Sequence, residues 1–275
     1  MKCLNIFYDL DDTLVESLDL FFFVDNLLAW SYLKKINKDE KRIDFEGIYT
    51  ELQKYSFLKK VIENKLNNLN PELKKEIEEF KQYVRTCDDK IMEEWPKMHR
   101  NPFSPEGLMA ALEQVIYKYN LNLGQRDLYF ASQIPFHYNL KTKEPLLSIK
   151  ELSKESLEYK VNIFIFSKGS FKEQVKKIEY LKLQDLIPLE NIFILHKKDS
   201  KILQEISELR GINQALMVGN SLKEEIQPAL ELKEMFKVLW VKHDDYFSKN
   251  LTIDDNIEIF SLESFKNYIR KQLYE

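Results

Sequence analysis

The sequence predicts an α/β protein: a doubly wound parallel sheet interrupted early by an all-helical insertion. Three observations lead there. The first is a short apolar run, Cys3-Leu4-Asn5-Ile6-Phe7-Tyr8, that ends abruptly in the acids Asp9, Asp11 and Asp12. The second is the alternation of short apolar runs with amphipathic helical stretches after Pro145, which implies parallel strands wrapped by helices on both faces. The third is the stretch from Leu18 to about Tyr138, where apolar residues recur only at helical spacing. The predicted division is a core of residues 1–17 and 140–275 and a helical insertion of residues 18–139.

In order, the first run reads as a buried strand with function at its end. Inside the insertion, Phe45–Ile48–Leu52–Tyr55, Leu73–Ile77–Phe80–Val84 and Leu108–Leu112–Val115–Tyr119 each form a helical stripe. Pro71 and Pro105 stand where first-turn prolines belong, with Asn70 and Ser104 as N-caps. Val161-Asn162-Ile163-Phe164-Ile165-Phe166 is the next strand, followed by Ser167-Lys168-Gly169 and a helix through about Leu183. Asn191 to Leu195 is a strand, with a helix from about Ser200 to Arg210. Ala215 to Val218 is another, leading through Gly219 to a helix over Glu224–Glu231. Val238 to Val241 and Ile257 to Phe260 complete the strands, and a terminal helix starts at Leu262.

Composition narrows the function. With 41 Lys+Arg against 45 Asp+Glu the net charge is -4, which leaves no electrostatic footprint for nucleic acid or an anionic membrane. Two cysteines, Cys3 and Cys87, are too few for a disulfide framework. The greasiest run, Leu18 to Leu33, contains Asp19, Asp25 and Asn26 and reads as a buried helix rather than a membrane span. Met1-Lys2-Cys3 leads into Asn5 and Asp9 without a signal-peptide pattern, so a cytoplasmic location is expected.

In open parallel sheets ligands bind at the carboxyl ends of the strands. Those ends carry Asp9-Leu10-Asp11-Asp12-Thr13, Ser167-Lys168-Gly169, Lys197-Lys198-Asp199 and Gly219-Asn220-Ser221 with Glu224-Glu225. Two carboxylates, a hydroxyl, a lysine and an oxygen-rich turn on one edge suit phosphoryl transfer: a nucleophile, a proton donor, a cation for phosphate charge and oxygen ligands for magnesium.

The chain resembles the phosphohydrolases of the haloacid dehalogenase superfamily. Asp9-Leu10-Asp11-Asp12-Thr13-Leu14-Val15 is similar to their first motif, DxDxT, and is the most specific match. Phe166-Ser167-Lys168-Gly169, with Glu173-Gln174 and Lys177-Ile178 after it, resembles the second, and Lys198-Asp199 the third. Met217 to Ile226, with Pro228-Ala229 next, resembles the fourth. The resemblance covers about residues 3–17 and 145–242, and implies a Rossmann-like core with a helical cap of the C1 type in the insertion. It also implies roles. Asp9 would attack phosphorus and form an aspartyl-phosphate; Asp11 would protonate the leaving oxygen and then activate water. Ser167 would donate to a phosphoryl oxygen and Lys198 would offset charge. Magnesium would take Asp9, the Asp11 carbonyl, Asn220 and Glu225 or Glu224. The partner would be a small phosphorylated metabolite.

The fourth motif departs from most relatives, which carry Asp directly after the glycine and a second Asp four or five residues on; here Asn220 and Glu225 or Glu224 stand there. An amide supplies no formal charge, so weaker magnesium binding is expected. Beside these groups, Asp12 reads as a turn residue, Thr13 as either a phosphate-site or a capping residue, and Lys168 as a solvated neighbour. Lys197 competes with Lys198. His99, His137, His196 and His243 show no metal spacing. Phe21-Phe22-Phe23 and Trp30 read as core of the insertion; which of its residues touch the substrate the sequence does not reveal, and Tyr32, Trp95 and Arg100 are candidates by chemistry alone. A dehalogenase is the first enzymatic competitor, but it has no use for Asp11 as proton donor; a phosphomutase would need a further contact from the cap. The competitor from another class is a catalytically weak, phosphatase-like binding protein.

Overall fold

The computed structural model describes residues 3–39, 41–52, 55–99, 104–137, 141–152, 160–242 and 257–274. The chain forms two compact units, Met1–Glu16 with Lys141–Glu275, and Ser17–Leu140. In chain order β1 (Cys3–Tyr8) is followed by α1 (Leu18–Ile36), α2 (Phe45–Thr50), α3 (Tyr55–Asn67), α4 (Pro71–His99), α5 (Pro105–Tyr119) and α6 (Gln125–Gln133). Then come α7 (Glu144–Leu152), β2 (Lys160–Lys168), α8 (Phe171–Leu181), β3 (Ile192–Leu195), α9 (Ser200–Leu209) and β4 (Ala215–Gly219). The chain continues with α10 (Gln227–Glu231), β5 (Phe236–Trp240), β6 (Glu258–Ile259) and α11 (Leu262–Tyr274).

All strands of the first unit pair in parallel, in the order β3-β2-β1-β4-β5-β6. β1 pairs with β2 from Cys3↔Lys160 to Tyr8↔Ile165, and with β4 from Ile6↔Leu216 to Tyr8↔Val218. Strand order reverses at β1, and this is where a doubly wound sheet opens a crevice beyond its carboxyl edge. Alternation along β1 serves both faces. Phe7 stacks on Phe164 (centroids 4.6 Å apart) and meets Phe236 edge-on at 5.5 Å, in a cluster with Leu203 and Ile206 of α9 and Ala229 of α10. Tyr8, on the opposite face, shares a 2.8 Å hydrogen bond with Ser148 of α7 and lies 6.5 Å from the Phe265 ring of α11. Because both faces are covered, β1 and β4 are near-continuous apolar runs rather than alternating ones.

The structure differs from the sequence expectation in three places. β2 runs to Lys168, so Ser167 and Lys168 are its last residues rather than loop residues. The stripe from Phe45 to Tyr55 is two helices: α2 stops at Thr50, whose hydroxyl bonds back to the Glu46 and Gly47 carbonyls. Gly47 and Thr50 hold a helix poorly, and such back-bonding weakens its last turn. The helix over Glu224–Glu231 begins as a π-turn, Leu222–Ile226, in which the Ile226 N–H reaches the Ser221 carbonyl five residues back. One extra residue in that turn carries Glu225 inward, to 1% exposure.

The second unit is helical throughout its described residues. Ile77, Phe80 and Val84 of α4 and Leu108, Leu112 and Val115 of α5 are buried. The Leu73 N–H donates to Asn70 (2.9 Å) and the Gly107 N–H to Ser104 (3.2 Å), closing the two helix starts. No helix among the described residues is long and apolar enough to cross a membrane.

Asp25 of α1 is buried, with Arg85 of α4 at 3.4 Å. Burial pushes its carboxyl up to about 6 against the attraction of Arg85. A carboxyl whose pKa is higher folded than unfolded binds more protons folded, so stability falls as pH rises between about 4 and 6. Asp25→Asn removes that slope. Its stability relative to the unsubstituted protein is expected to rise by about 3 kcal/mol across this window and to level off above it. Urea titrations at several pH values check this, and a constant difference would refute it.

Candidate active site

The chemistry-bearing residues meet within the first unit. Asp9 follows β1 directly, its N–H donating to the Val218 carbonyl of β4 at 3.0 Å, and is 4% exposed. Its Oδ1 accepts from Lys198 Nζ at 2.5 Å. Lys198 arrives from the turn after β3, where Asp199 caps α9 by accepting from the Ile202 N–H at 2.9 Å. The same ammonium pairs with Glu225, and the second oxygen of Glu225 accepts from the Ser221 N–H at 2.8 Å. Gly219 makes room: a Cβ there would fall 2.7 Å from Glu225 Cβ.

Lys197 points elsewhere, pairing with Asp199 at 2.6 Å, and Glu224 pairs with Lys168 at 3.2 Å. Lys168 is therefore half-buried and ion-paired, not the solvated neighbour expected from sequence. Burial pushes the Asp9 carboxyl up to about 8 despite Lys198, with Glu225 and Asp11 adding to the rise. Burial would lower Lys198, but Asp9 and Glu225 outweigh it and hold the ammonium above the ordinary lysine range.

Asn220, just past β4, is anchored by the Trp240 indole, which donates to its carbonyl at 2.8 Å. The tip of its amide lies 3.2 Å from Asp9 Oδ2, 3.0 Å from the Asp11 carbonyl oxygen and 3.2 Å from Thr13 Oγ1. With nitrogen at the tip, it donates to all three. With oxygen at the tip, it accepts from Thr13 and faces two other oxygens. Neighbouring oxygens around octahedral magnesium stand about 3.0 Å apart, so Asp9 Oδ2, the Asp11 carbonyl and Asn220 Oδ1 fit such an ion. Glu225 does not join them: Lys198 and the Ser221 N–H take up its carboxylate, and it acts as the counter-ion of Lys198 instead. The set thus carries one formal carboxylate. Among the described residues no group of three or more His, Cys, Asp or Glu could hold a metal.

Ser167 is fully buried at the end of β2, and its hydroxyl has no partner among the described residues. Asp12, at φ 57°, takes the left-handed conformation that acidic and amide residues tolerate in turns. Asp11 pairs with Lys177 of α8 through Oδ1, and accepts from Gln174 Nε2 at 2.7 Å through Oδ2. Burial would raise its carboxyl, but Lys177, Gln174 and Lys198 together hold it below the usual carboxylate range.

The part played by Gln174 and Lys177 at Asp11 was not assigned from sequence. A signal was present: residues 173, 174, 177, 178 and 181 are the buried positions of α8, and three of those five are Glu, Gln and Lys.

Of the remaining candidates, Tyr32 sits in the helical unit, stacked on Phe80 at 4.7 Å and donating to Glu76 at 2.6 Å. The Trp95 and His99 side chains, Arg100 and His243 lie outside the described residues. His196 is exposed, and His137 packs edge-on against Tyr49. Phe23 is buried, whereas Phe21 and Phe22 are half-buried. Trp30 is covered by the ammonium groups of Lys34 and Lys65, 5.4 and 5.2 Å from the ring centroid.

No family model and no curated protein matches the chain. Solved structures do. A haloacid dehalogenase-like family hydrolase from Xanthomonas campestris superposes with TM-score 0.59 at 14% identity, covering 98% of this chain and 96% of that one. YfnB of Bacillus subtilis, described as a HAD-hydrolase and bound to magnesium, gives 0.55 at 13%, covering 98% and 100%. The L-2-haloacid dehalogenase RSc1362 gives 0.56 at 11%, again covering 98% and 100%. The chain has the fold of the haloacid dehalogenase-like hydrolases.

Since the buried Ser167 hydroxyl makes no hydrogen bond among the described residues, Ser167→Ala loses none there. The variant is expected to unfold at the same or a higher urea concentration, gaining up to about 1 kcal/mol. A clear drop in the midpoint would show that the hydroxyl is paired.

Proposed function

We propose that the protein is a magnesium-dependent phosphohydrolase that cleaves a small phosphomonoester through an aspartyl-phosphate on Asp9. The observation that carries this reading is the second carboxylate, Asp11, held beside the Lys198-paired Asp9. A departing alkoxide needs a proton, whereas a halide leaves without one. A dehalogenase would leave Asp11 and its two α8 partners without a task.

Asp9 attacks phosphorus while Asp11, held ionised in the free protein and taking up a proton as the phosphate dianion enters beside it, hands that proton to the leaving oxygen, and the alcohol departs. Asp11, now ionised, takes a proton from water as that water attacks phosphorus; the bond to Asp9 breaks and phosphate is released. Lys198 offsets charge on Asp9 and on the transferring group from a buried position, where its field is little screened. The Ser167 hydroxyl, without a partner among the described residues, supplies a donor for a phosphoryl oxygen. Asp9 Oδ2, the Asp11 carbonyl and the Asn220 amide oxygen would hold magnesium, which supplies positive charge that favours ionised Asp9 and neutralises phosphate oxygens. In this reading the helical unit serves as the cap, which limits substrate size and excludes bulk water.

Release of inorganic phosphate from a panel of phosphomonoesters, with and without magnesium, tests the proposal. Magnesium-dependent release that Asp9→Asn abolishes is expected. Halide release from 2-haloacids without phosphate release would overturn it in favour of a dehalogenase. Ligand binding without turnover would favour a phosphatase-like binding protein, a second reading supported by the single carboxylate in the metal set. Asn220→Asp adds a formal charge to that set and is expected to lower the magnesium concentration for half-maximal activity roughly tenfold. An unchanged requirement would show that Asn220 is not a ligand.

A further inference from the structure

Lys177 and Gln174 of α8 are buried polar side chains that meet at Asp11. Lys177 is 5% exposed and Gln174 3% exposed, on a helix whose other buried residues are Glu173, Ile178 and Leu181. Burying an ammonium and an amide costs several kcal/mol unless each is matched. Both are matched to the same group: Lys177 pairs with Asp11 Oδ1, and Gln174 Nε2 donates to Asp11 Oδ2 at 2.7 Å and to the Lys168 carbonyl at 3.2 Å. Those two acceptors fix the amide with nitrogen toward Asp11 and leave its buried Oε1 without a partner among the described residues. Lys177 and Gln174, one turn apart on a helix packed against the sheet, thus define both oxygens of one carboxylate. The backbone accommodates this: Gly169 has φ +152°, and a Cβ there would come within 2.5 Å of Gln174 Nε2.

We propose that Lys177 and Gln174 are positioning residues of the reaction, a two-point clamp that orients the Asp11 carboxylate for proton transfer to the leaving group and from water. The inference rests on the phosphohydrolase reading. It differs from a role in folding or metal binding in one consequence: the clamp matters in proportion to how much the leaving group needs a proton. In the first step the bond from phosphorus to the ester oxygen breaks as the bond to Asp9 forms. The proton that Asp11 gives up ends on that oxygen. Aryl phosphates with acidic phenols leave without it; alkyl phosphates do not.

The test compares kcat/KM, which reports only steps through transfer to Asp9, for an alkyl phosphate and for p-nitrophenyl phosphate. Lys177→Met, Lys177→Arg and Gln174→Met are measured beside the unsubstituted protein. General acid catalysis is worth 10²–10⁴-fold. Lys177→Met and Gln174→Met are therefore expected to lose about 100-fold or more on the alkyl ester and under about tenfold on the aryl ester, where the acid contributes little. Lys177→Arg, which restores the charge, should recover much of the alkyl activity. Equal losses on both esters, or no loss on either, would overturn the clamp while leaving the phosphohydrolase intact. If Lys177→Met does not fold, the leaving-group dependence of Gln174→Met, which keeps the charge pair, decides. Absence of phosphate release by the unsubstituted protein from both esters would overturn the phosphohydrolase reading, and the clamp with it.

Discussion

The site depends on one buried ammonium. Lys198 lies between Asp9 and Glu225, and all three side chains are nearly inaccessible, at 3%, 6% and 2% exposure. Two carboxylates could not be buried this close together without a cation between them, because desolvation and mutual repulsion would drive one of them neutral. The arrangement also explains why the fourth strand ends as it does. Glu225 reaches Lys198 because the π-turn after Ser221 carries it inward and Gly219 has no Cβ to block it. The extra residue in the turn, the bare glycine and the buried lysine form a single device. It sets a cation against the Asp9 carboxyl at the end of β1, in a place where water cannot stabilise a charge there.

Parallel strands give that device its surroundings. Every strand of the sheet points its carboxyl end to the same edge, so groups far apart in sequence converge wherever consecutive strand ends are functional. β1 contributes Asp9 and Asp11, β2 contributes Ser167, and the turn after β3 contributes Lys198. β4 contributes Asn220, and Glu225 comes from the π-turn that follows it. Asp9 occupies the position where the strand order reverses. Asp9 and Asp11 stand two residues apart in the chain. Their environments push them in opposite directions: burial dominates at Asp9, and paired donors dominate at Asp11.

Asn220 sits at the meeting point of three oxygens, and its chemistry is two-sided. An amide can turn its nitrogen to Asp9 Oδ2 and the Asp11 carbonyl, or its oxygen to a cation held among them. An aspartate could do only the second. The amide therefore lets the oxygen set remain satisfied without a metal, at the expense of one formal charge when a metal is bound.

Much of this was legible in the sequence. The strands were, because a parallel strand buried on both faces must be a short apolar run. The convergence of Asp9, Asp11, Ser167, Lys198 and Asn220 followed, because strand ends share an edge. Choices that depend on where a side chain points were not legible. Lys197 and Lys198 are chemically identical neighbours, and only the cap that Asp199 makes on α9 decides which reaches Asp9. Glu224 and Glu225 differ by a rotation that the π-turn sets, and no propensity encodes that turn. Lys177 and Gln174 look like ordinary surface residues of a charged helix until packing places them on its buried stripe. Residue order determined which chemistry could gather at the sheet edge. The tertiary structure decided which atoms face one another there, because side-chain direction depends on backbone rotation and packing that no local stretch of sequence specifies.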